Sequence, residues 1–402
     1  MASLCPIAIV GGGPAGALTA AHLSRAGHPV VLFDEKLAWE KPCGGGLTYK
    51  ALQAWPFLAD CNAERNWVHQ CELISPGGRR VSFHLDRPVA TFSRYVLNGL
   101  LLDEARRAGA CVVKSRVLAI EGNAGSWRIQ TQGGPHSAAF VVIAAGARNP
   151  FRKQFTQPFS PQDLMATAGY YIPAASSVMR IQFFPDLHGY LWTFPRTDHL
   201  SAGICGKLTG MSTAQLRRQL EESLRALGLE FAGTRFYSHL LPALRANTLR
   251  HTAFSGPGWA MVGDAAGFVD PITGEGLYYA MRSGELLAEA VIAGQSASYA
   301  ARVRQDFLPD LEAAARVADR FYSGRWMGQP VIERMVQFTG SSPSFCGLMR
   351  DMFAGTQGYA DLRSRLYRSL PRMLAESLAS ALWPQAKTRP MPAEPASQRR
   401  AV

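Results

Sequence analysis

Few charges, no long apolar run and no paired cysteines set the first limits on this chain. Only 18% of its 402 residues are charged and 47% are hydrophobic, which excludes a disordered polypeptide and suits an ordered globular one. No apolar stretch reaches the roughly 18 residues needed to cross a bilayer, so the reading is a soluble or peripheral protein. Met1 to Val10 is apolar but lacks a basic flank and runs straight into glycines; it reads as a first β-strand and not as a signal peptide. Seven cysteines, an odd number with no Cys-x-x-Cys pair, argue against a disulfide framework and for a reducing, cytoplasmic compartment. The nine histidines show no metal-ligand spacing, so no metal site is expected. Acidic residues are also scarce: the net charge is +12, and positions 361–402 alone hold eight basic and three acidic residues. No DNA- or RNA-binding motif accompanies this excess. It is a solvated basic surface, or it attracts anionic headgroups at the inner face of a membrane, or an anionic substrate or cofactor.

What is present is a pair of glycine signatures about 250 residues apart. Gly11-Gly12-Gly13-Pro14-Ala15-Gly16 lies between the apolar run Ile7 to Val10 and a small-residue helix from Ala15 to Arg25, with Gly27 as its stop and Val30 to Phe33 as the next strand. Gly11 permits the turn, Gly13 lets backbone reach a pyrophosphate, and Gly16 lets helix pack on sheet. The phosphates then face the free N–H groups of a helix N-terminus. Asp34 follows the second strand where a carboxylate would accept from the ribose hydroxyls, with Glu35 as the fallback.

The second signature, Gly263-Asp264 through Gly274-Glu275-Gly276, follows the apolar Trp259 to Val262. Asp264 is placed to hold a ribityl chain. The helix opening after Gly276 would turn its positive end toward a flavin ring that gathers negative charge on reduction. Together the two signatures point to FAD in an extended pose. Phe140 to Gly146 reads as a third strand ending at a glycine; Arg94 opens a helix running to Ala108 and is a phosphate or ribityl candidate. Arg148 and Arg152 are weaker ones, and Val117 and Gly146 complete the cofactor-binding set. His188 is read as a solvated loop residue.

Between about 155 and 250 the texture becomes β-rich, with Met179 to Phe184, Leu191 to Phe194 and Leu200 to Ile204 as antiparallel strands. The predicted organisation is an α/β, Rossmann-type FAD-binding domain (1–60, 90–155 and 250–300) with an inserted β-rich substrate domain (61–89 and 156–249). A helical C-terminal region (301–383) and a loose tail (384–402) follow. Gly44-Gly45-Gly46 lets backbone approach a flat ring, and Cys43 beside it is either a flavin contact or a buried structural cysteine. Tyr190, Trp192 and Phe194 alternate with Leu191 and Thr193, so one strand face is aromatic, as core or as a substrate wall. Leu362, Leu366, Leu370 and Leu374 recur every four residues among arginines. They read as a helix packed on its own domain or resting on a membrane, and Pro371 weakens a continuous helix.

With these residues quoted, the chain resembles the p-hydroxybenzoate hydroxylase-like class of FAD proteins. Lys41-Pro42-Cys43-Gly44-Gly45-Gly46, Tyr190-Leu191-Trp192-Thr193-Phe194-Pro195 and the Gly263 to Gly276 block resemble the geranylgeranyl reductase family more specifically. The resemblance implies reduction of isolated double bonds in a geranylgeranyl or polyprenyl chain; NADPH is the expected donor, with a ferredoxin-type donor as the alternative. It places Cys43 near flavin and substrate, with Tyr190 and Trp192 lining a prenyl tunnel; Tyr190 and an ordered water are the proton-donor candidates. Where the family often has proline three residues before the tyrosine, this chain has Leu187, with Pro185 nearby. The Tyr-x-Trp-x-Phe-Pro element also resembles the Trp-x-Trp-x-Ile-Pro element of flavin-dependent halogenases, so the alternative is an oxygen-using monooxygenase or halogenase acting on an apolar or aromatic molecule.

Overall fold

The chain folds around two large sheets, with a three-stranded sheet (Val117–Asn123, Ser126–Thr131, Gly134–Ala138) and a two-stranded one besides, in the computed structural model, which describes residues 6–326 and 328–382. The first sheet has the strand order Ser255–Gly256, Trp259–Met261, Phe140–Ile143, Ile7–Val10, Val30–Asp34, Cys111–Lys114. All its pairings are parallel except that of the two-residue edge strand. Every residue of Ile7–Val10 is buried, as a parallel strand covered by helices on both faces requires. Helix Pro14–Arg25 packs against Leu277–Ile292 and Arg94–Arg107. The approach is close: a methyl group on Gly284 would stand 2.6 Å from the Thr19 hydroxyl.

The second sheet has eight strands, in the order Phe236–Pro242, Leu164–Ile172, Leu200–Lys207, Gly189–Pro195, Val178–Gln182, Asn66–Ile74, Arg80–Thr91, Gly46–Leu47. It is antiparallel except where Val178–Gln182 runs parallel to Asn66–Ile74. Its last strand, Gly46–Leu47, is the continuation of the Lys41–Gly45 loop, so sheet pairing pins that loop to the edge. The period-2 alternation divides Gly189–Pro195 between two environments. Leu191 is buried among Leu216, Leu220 and Leu224 of helix Thr213–Ala226, which covers one face. Tyr190, Trp192 and Phe194 project from the other face, toward the first sheet.

Four helices, Leu308–Ser323, Val331–Ser341, Pro343–Ala354 and Leu362–Leu382, form the C-terminal region. The expected α/β class, with a β-rich insertion and a helical C-terminal region, is the architecture found. Leu362–Leu382 runs through Pro371 unbroken. The ring removes the helical bond to the Tyr367 carbonyl, but Tyr367 is 63% exposed, so water replaces the lost donor. No helix among the described residues is long and apolar enough to cross a membrane, and the 384–402 tail lies outside the described residues.

Candidate active site

A cavity opens where the two sheets face each other. At its polar end are Gly13, Pro14 and Ala15 of the first glycine turn, with Lys41, Arg94, Gly146, His239 and Asp264. At its apolar end are Cys43, Tyr190, Trp192, Phe194, Cys205 and Leu241, with Gly274, Glu275 and Gly276 along one side. Both glycine signatures and the aromatic strand therefore line one space.

The three glycines of the first turn differ in what constrains them. Gly11 has φ +113°, and a methyl there would lie 2.3 Å from the Ala144 carbonyl oxygen; one on Gly16 would lie 2.0 Å from the Gly11 oxygen. Both are required by the fold itself. A methyl on Gly13 meets nothing within 4 Å, so that residue faces open cavity. Asp34 sits at the end of its strand, where its Oδ2 accepts from Gly12 N at 2.7 Å and its Oδ1 from Lys36 N and Leu37 N at 2.8 and 2.6 Å. Glu35 is exposed and turned toward Arg116 at 3.7 Å. Val117 is packed in the hydrophobic core beside the first sheet, away from the cavity lining.

Arg94 is 3% exposed; it reaches Asn98 Oδ1 at 3.1 Å, while its Nε has no partner among the described residues. Glu40 caps this helix by accepting from Arg94 N and Tyr95 N at 3.0 and 3.1 Å and from the Ser93 hydroxyl. Asp264 accepts from Lys41 Nζ at 3.1 Å. Burial works to raise its carboxyl, but Lys41 overrides burial and holds it below the ordinary value. His239, whose Nε2 is buried without a partner among the described residues, is lowered to about 3 by burial and then by the Lys41 charge. It is a neutral imidazole at physiological pH. A buried guanidinium whose Nε has no partner among the described residues, open backbone at Gly13 and a cationic surround fit an anionic dinucleotide, and the residues present fit FAD.

The Gly44–Gly46 turn departs from expectation in what it touches. A methyl on Gly44 would lie 2.8 Å from the Phe194 ring, and one on Gly45 (φ +71°) would lie 2.3 Å from the Arg196 guanidinium. These glycines are required by the protein's own side chains, while their other side lines the cavity. Arg196 Nη2 and Ser201 Oγ both donate to the Cys43 carbonyl, at 2.9 and 2.8 Å, and Cys43 Sγ accepts from Gly45 N at 3.2 Å. Tyr190 donates its hydroxyl to the Thr273 carbonyl, and the Trp192 ring lies on Gly203. Arg152 is committed elsewhere: it donates to Ala265 O at 2.6 Å and Gln157 O at 2.8 Å, pinning the Gly263–Ala265 turn. His188 is half-buried and not a solvated loop residue; its ring lies 4.4 Å from that of Tyr322 at a tilt of 36°, and burial lowers it to about 4.

Lys41, His239 and Glu40 are site residues to which the sequence motifs alone give no role. Lys41 had a signal, its adjacency to Pro42-Cys43. His239 had none, because a single histidine in a strand carries no spacing pattern. Among the described residues no cluster of His, Cys, Asp and Glu is arranged to hold a metal ion.

The fold and this cavity are those of a flavoprotein oxidoreductase. Residues 6–355 match the profile of the family described as lycopene cyclase protein, and the chain belongs to that family. It is 26% identical over 370 residues to geranylgeranyl diphosphate reductase of Synechocystis, covering 84% of this chain and 86% of that one. Its fold is similar to that of a geranylgeranyl bacteriochlorophyll reductase-like protein from Thermoplasma acidophilum (TM-score 0.74, 18% identity, 93% of this chain and 98% of the other). It is also similar to the halogenase PltM in complex with FAD (TM-score 0.62, 15% identity, 93% and 97%).

Proposed function

We propose that this protein saturates carbon–carbon double bonds of a geranylgeranyl or other polyprenyl chain, with FAD as cofactor and NADPH as electron donor. The observation that carries this reading is the continuity of one cavity from the glycine turn to an aromatic wall. When bound and reduced, FAD supplies the hydride equivalent. The chain's own residues do the rest. Gly13 backbone and Arg94 receive the phosphates, and Asp264 exchanges its Lys41 contact for the ribityl hydroxyls. The Cys43 to Gly46 turn, fixed by Arg196 and Ser201, forms the edge of the ring site.

Tyr190, Trp192, Phe194 and Leu241 exclude water from the alkene and orient it. An isolated alkene has no carbonyl to polarise, so positioning must contribute much of the catalysis. Burial of the tail supplies binding energy: at about 0.8 kcal/mol per methylene, a chain of some twenty carbons offers on the order of 10 kcal/mol before ordering costs. The chain carries no second Gly-x-Gly-x-x-Gly turn, so the nicotinamide donor binds transiently. The halogenase-like fold supports a second reading, oxygen-dependent chemistry on an apolar molecule.

Mass spectrometry of a geranylgeranyl lipid, incubated with dithionite-reduced holoprotein without and then with oxygen, separates the two. The expected outcome is added hydrogen pairs under anaerobic conditions. Oxygen or halogen incorporation that appears only with oxygen, and no anaerobic reduction, overturns the reductase reading.

A further inference from the structure

We infer that Glu275 is the proton donor of this site, and that its carboxyl protonates the alkene carbon opposite the one that receives hydride. The inference rests on the prenyl-reductase reading and deepens it. Glu275 lies in the cavity wall between Gly274 and Gly276, which also line the cavity. Gly274 (φ +70°) touches the aromatic wall: a methyl there would stand 2.7 Å from the Tyr190 hydroxyl and 3.4 Å from Leu241. Glu275 itself lines the same cavity, just before helix Leu277–Ile292. Its Oε1 accepts from Tyr278 N at 2.9 Å, which fixes its direction.

The loop that carries it is clamped by three tyrosine hydroxyls from three separate elements. Tyr190 donates to Thr273 O, Tyr322 to Ile272 O at 2.6 Å, and Tyr359 to Asp270 Oδ2 at 2.9 Å. Asp270 in turn accepts from Ile272 N at 2.8 Å and Thr273 Oγ1 at 2.6 Å. A loop held this firmly keeps a proton donor in a constant position, which general acid catalysis demands.

Four of the other polar groups lining the cavity are poorly placed to donate. Asp264 is held below its ordinary value, with Lys41 overriding burial, and on the reading above it is committed to the ribityl hydroxyls. His239 is held neutral by burial and the Lys41 charge. The Tyr190 hydroxyl is spent on Thr273 O, and burial drives it well above the ordinary phenol range. The Cys205 thiol is turned to the Tyr190 carbonyl and pushed up to about 12 by burial.

Glu275 differs. Burial raises it, Asp270 on its own loop raises it further, and the amides of Tyr278 and Leu277 and the charge of Lys50 on helix Tyr49–Ala54 oppose them. The net result is a carboxyl pushed up to about 7. It is protonated at neutral pH and close enough to its titration point to release the proton. In the reaction the C=C π bond breaks. One carbon takes hydride from the reduced cofactor, its neighbour uses the π pair to take the Glu275 proton, and the resulting carboxylate is recharged by water.

The test uses the full-length, FAD-loaded protein. Infrared spectroscopy should show a protonated-carboxyl band that titrates near pH 7 in the wild type and is missing in Glu275→Gln. Single-turnover reduction of a geranylgeranyl lipid by dithionite-reduced protein, normalised to bound flavin, should fall about tenfold per pH unit above about pH 7. Glu275→Gln should be slower by about 10²–10⁴ and lose that dependence. Glu275→Asp, which keeps a carboxyl, should be slowed but retain a pH-dependent rate. A missing band, or wild-type rate and pH profile in Glu275→Gln, overturns the inference alone. So does a pH dependence that survives in Glu275→Gln and disappears in Cys43→Ala. If the reduced wild type saturates no prenyl chain, the functional reading fails and takes alkene protonation with it.

Discussion

At the scale of single residues, the glycines of the first turn separate folding from cofactor binding. A methyl on Gly11 or Gly16 would stand 2.3 or 2.0 Å from enclosing backbone, whereas Gly13 faces only cavity and has an ordinary φ of −70°. Gly13→Ala should therefore fold, losing no more than about 1 kcal/mol as a poorer N-cap, yet bind FAD at least about tenfold more weakly because its methyl enters the phosphate path. Gly16→Ala should fail to accumulate as folded protein. Thermal denaturation of the apoprotein and FAD titration check both; equal flavin affinity in Gly13→Ala would remove that residue from the phosphate site. The glycines and Asp34 were readable in the sequence because each sits at a fixed distance from a strand or helix boundary. His239 and Glu40 were not, because they reach the site through sheet register and a helix cap that bring together residues far apart in the chain. The Gly44–Gly46 turn was recognisable as a close approach, but not the Phe194 and Arg196 side chains that demand it.

At the scale of elements, buried strands such as Ile7–Val10 and the alternating Gly189–Pro195 announce themselves by pattern. The two-residue strand Gly46–Leu47 does not, because tertiary pairing to Arg80–Thr91 creates it. The last helix shows the same limit. Leucines spaced every four residues suggested its apolar face, yet its firmest anchor is Glu376. That carboxylate accepts from Ser342 Oγ at 2.6 Å, Ser344 N at 3.0 Å and Ser344 Oγ at 2.7 Å, at the N-terminus of Pro343–Ala354. These bonds, the Ser342 hydroxyl first, outweigh burial and lower the group from 4.5 to about 2. A folded-state value below the unfolded one stabilises above about pH 4.5, and that contribution fades as pH falls toward 2. Hydrogen exchange across 362–382 should accelerate over that window in the wild type. In Glu376→Ala it should already be faster at pH 7, because the bonds to Ser342 and Ser344 are lost; solvent screening of this carboxylate keeps their contribution at about 1 kcal/mol. Unchanged exchange in the variant would show that Met373 and its apolar neighbours hold the helix alone.

At the scale of the whole molecule, the +12 charge and the unspent face of Leu362–Leu382 point the same way. Tyr367, Leu374, Leu378 and Leu382 are 63%, 36%, 65% and 77% exposed. Their spacing of seven, four and four places them on one side of the helix. Arg365 and Arg372 are paired with Asp351 and Glu376, but Arg363 lies over the Tyr367 ring and extends the basic character of this surface. A site that accepts a long apolar tail gains if the protein rests where such tails are dissolved. We therefore propose that this face lies on anionic membrane, with its leucines entering the headgroup boundary and its arginines beside it. The full-length protein should co-sediment with vesicles containing anionic lipid and less with neutral ones. Binding should weaken as salt shortens the screening length from about 10 Å at 0.1 M to about 3 Å at 1 M. Each exposed leucine contributes about 1.5 kcal/mol or more when fully buried, so Leu378→Glu with Leu382→Glu should reduce partitioning by about 100-fold while reduction of a detergent-dispersed substrate persists. Salt-independent binding, or none in the wild type, would instead assign this face to ordinary solvent and the excess charge to solubility.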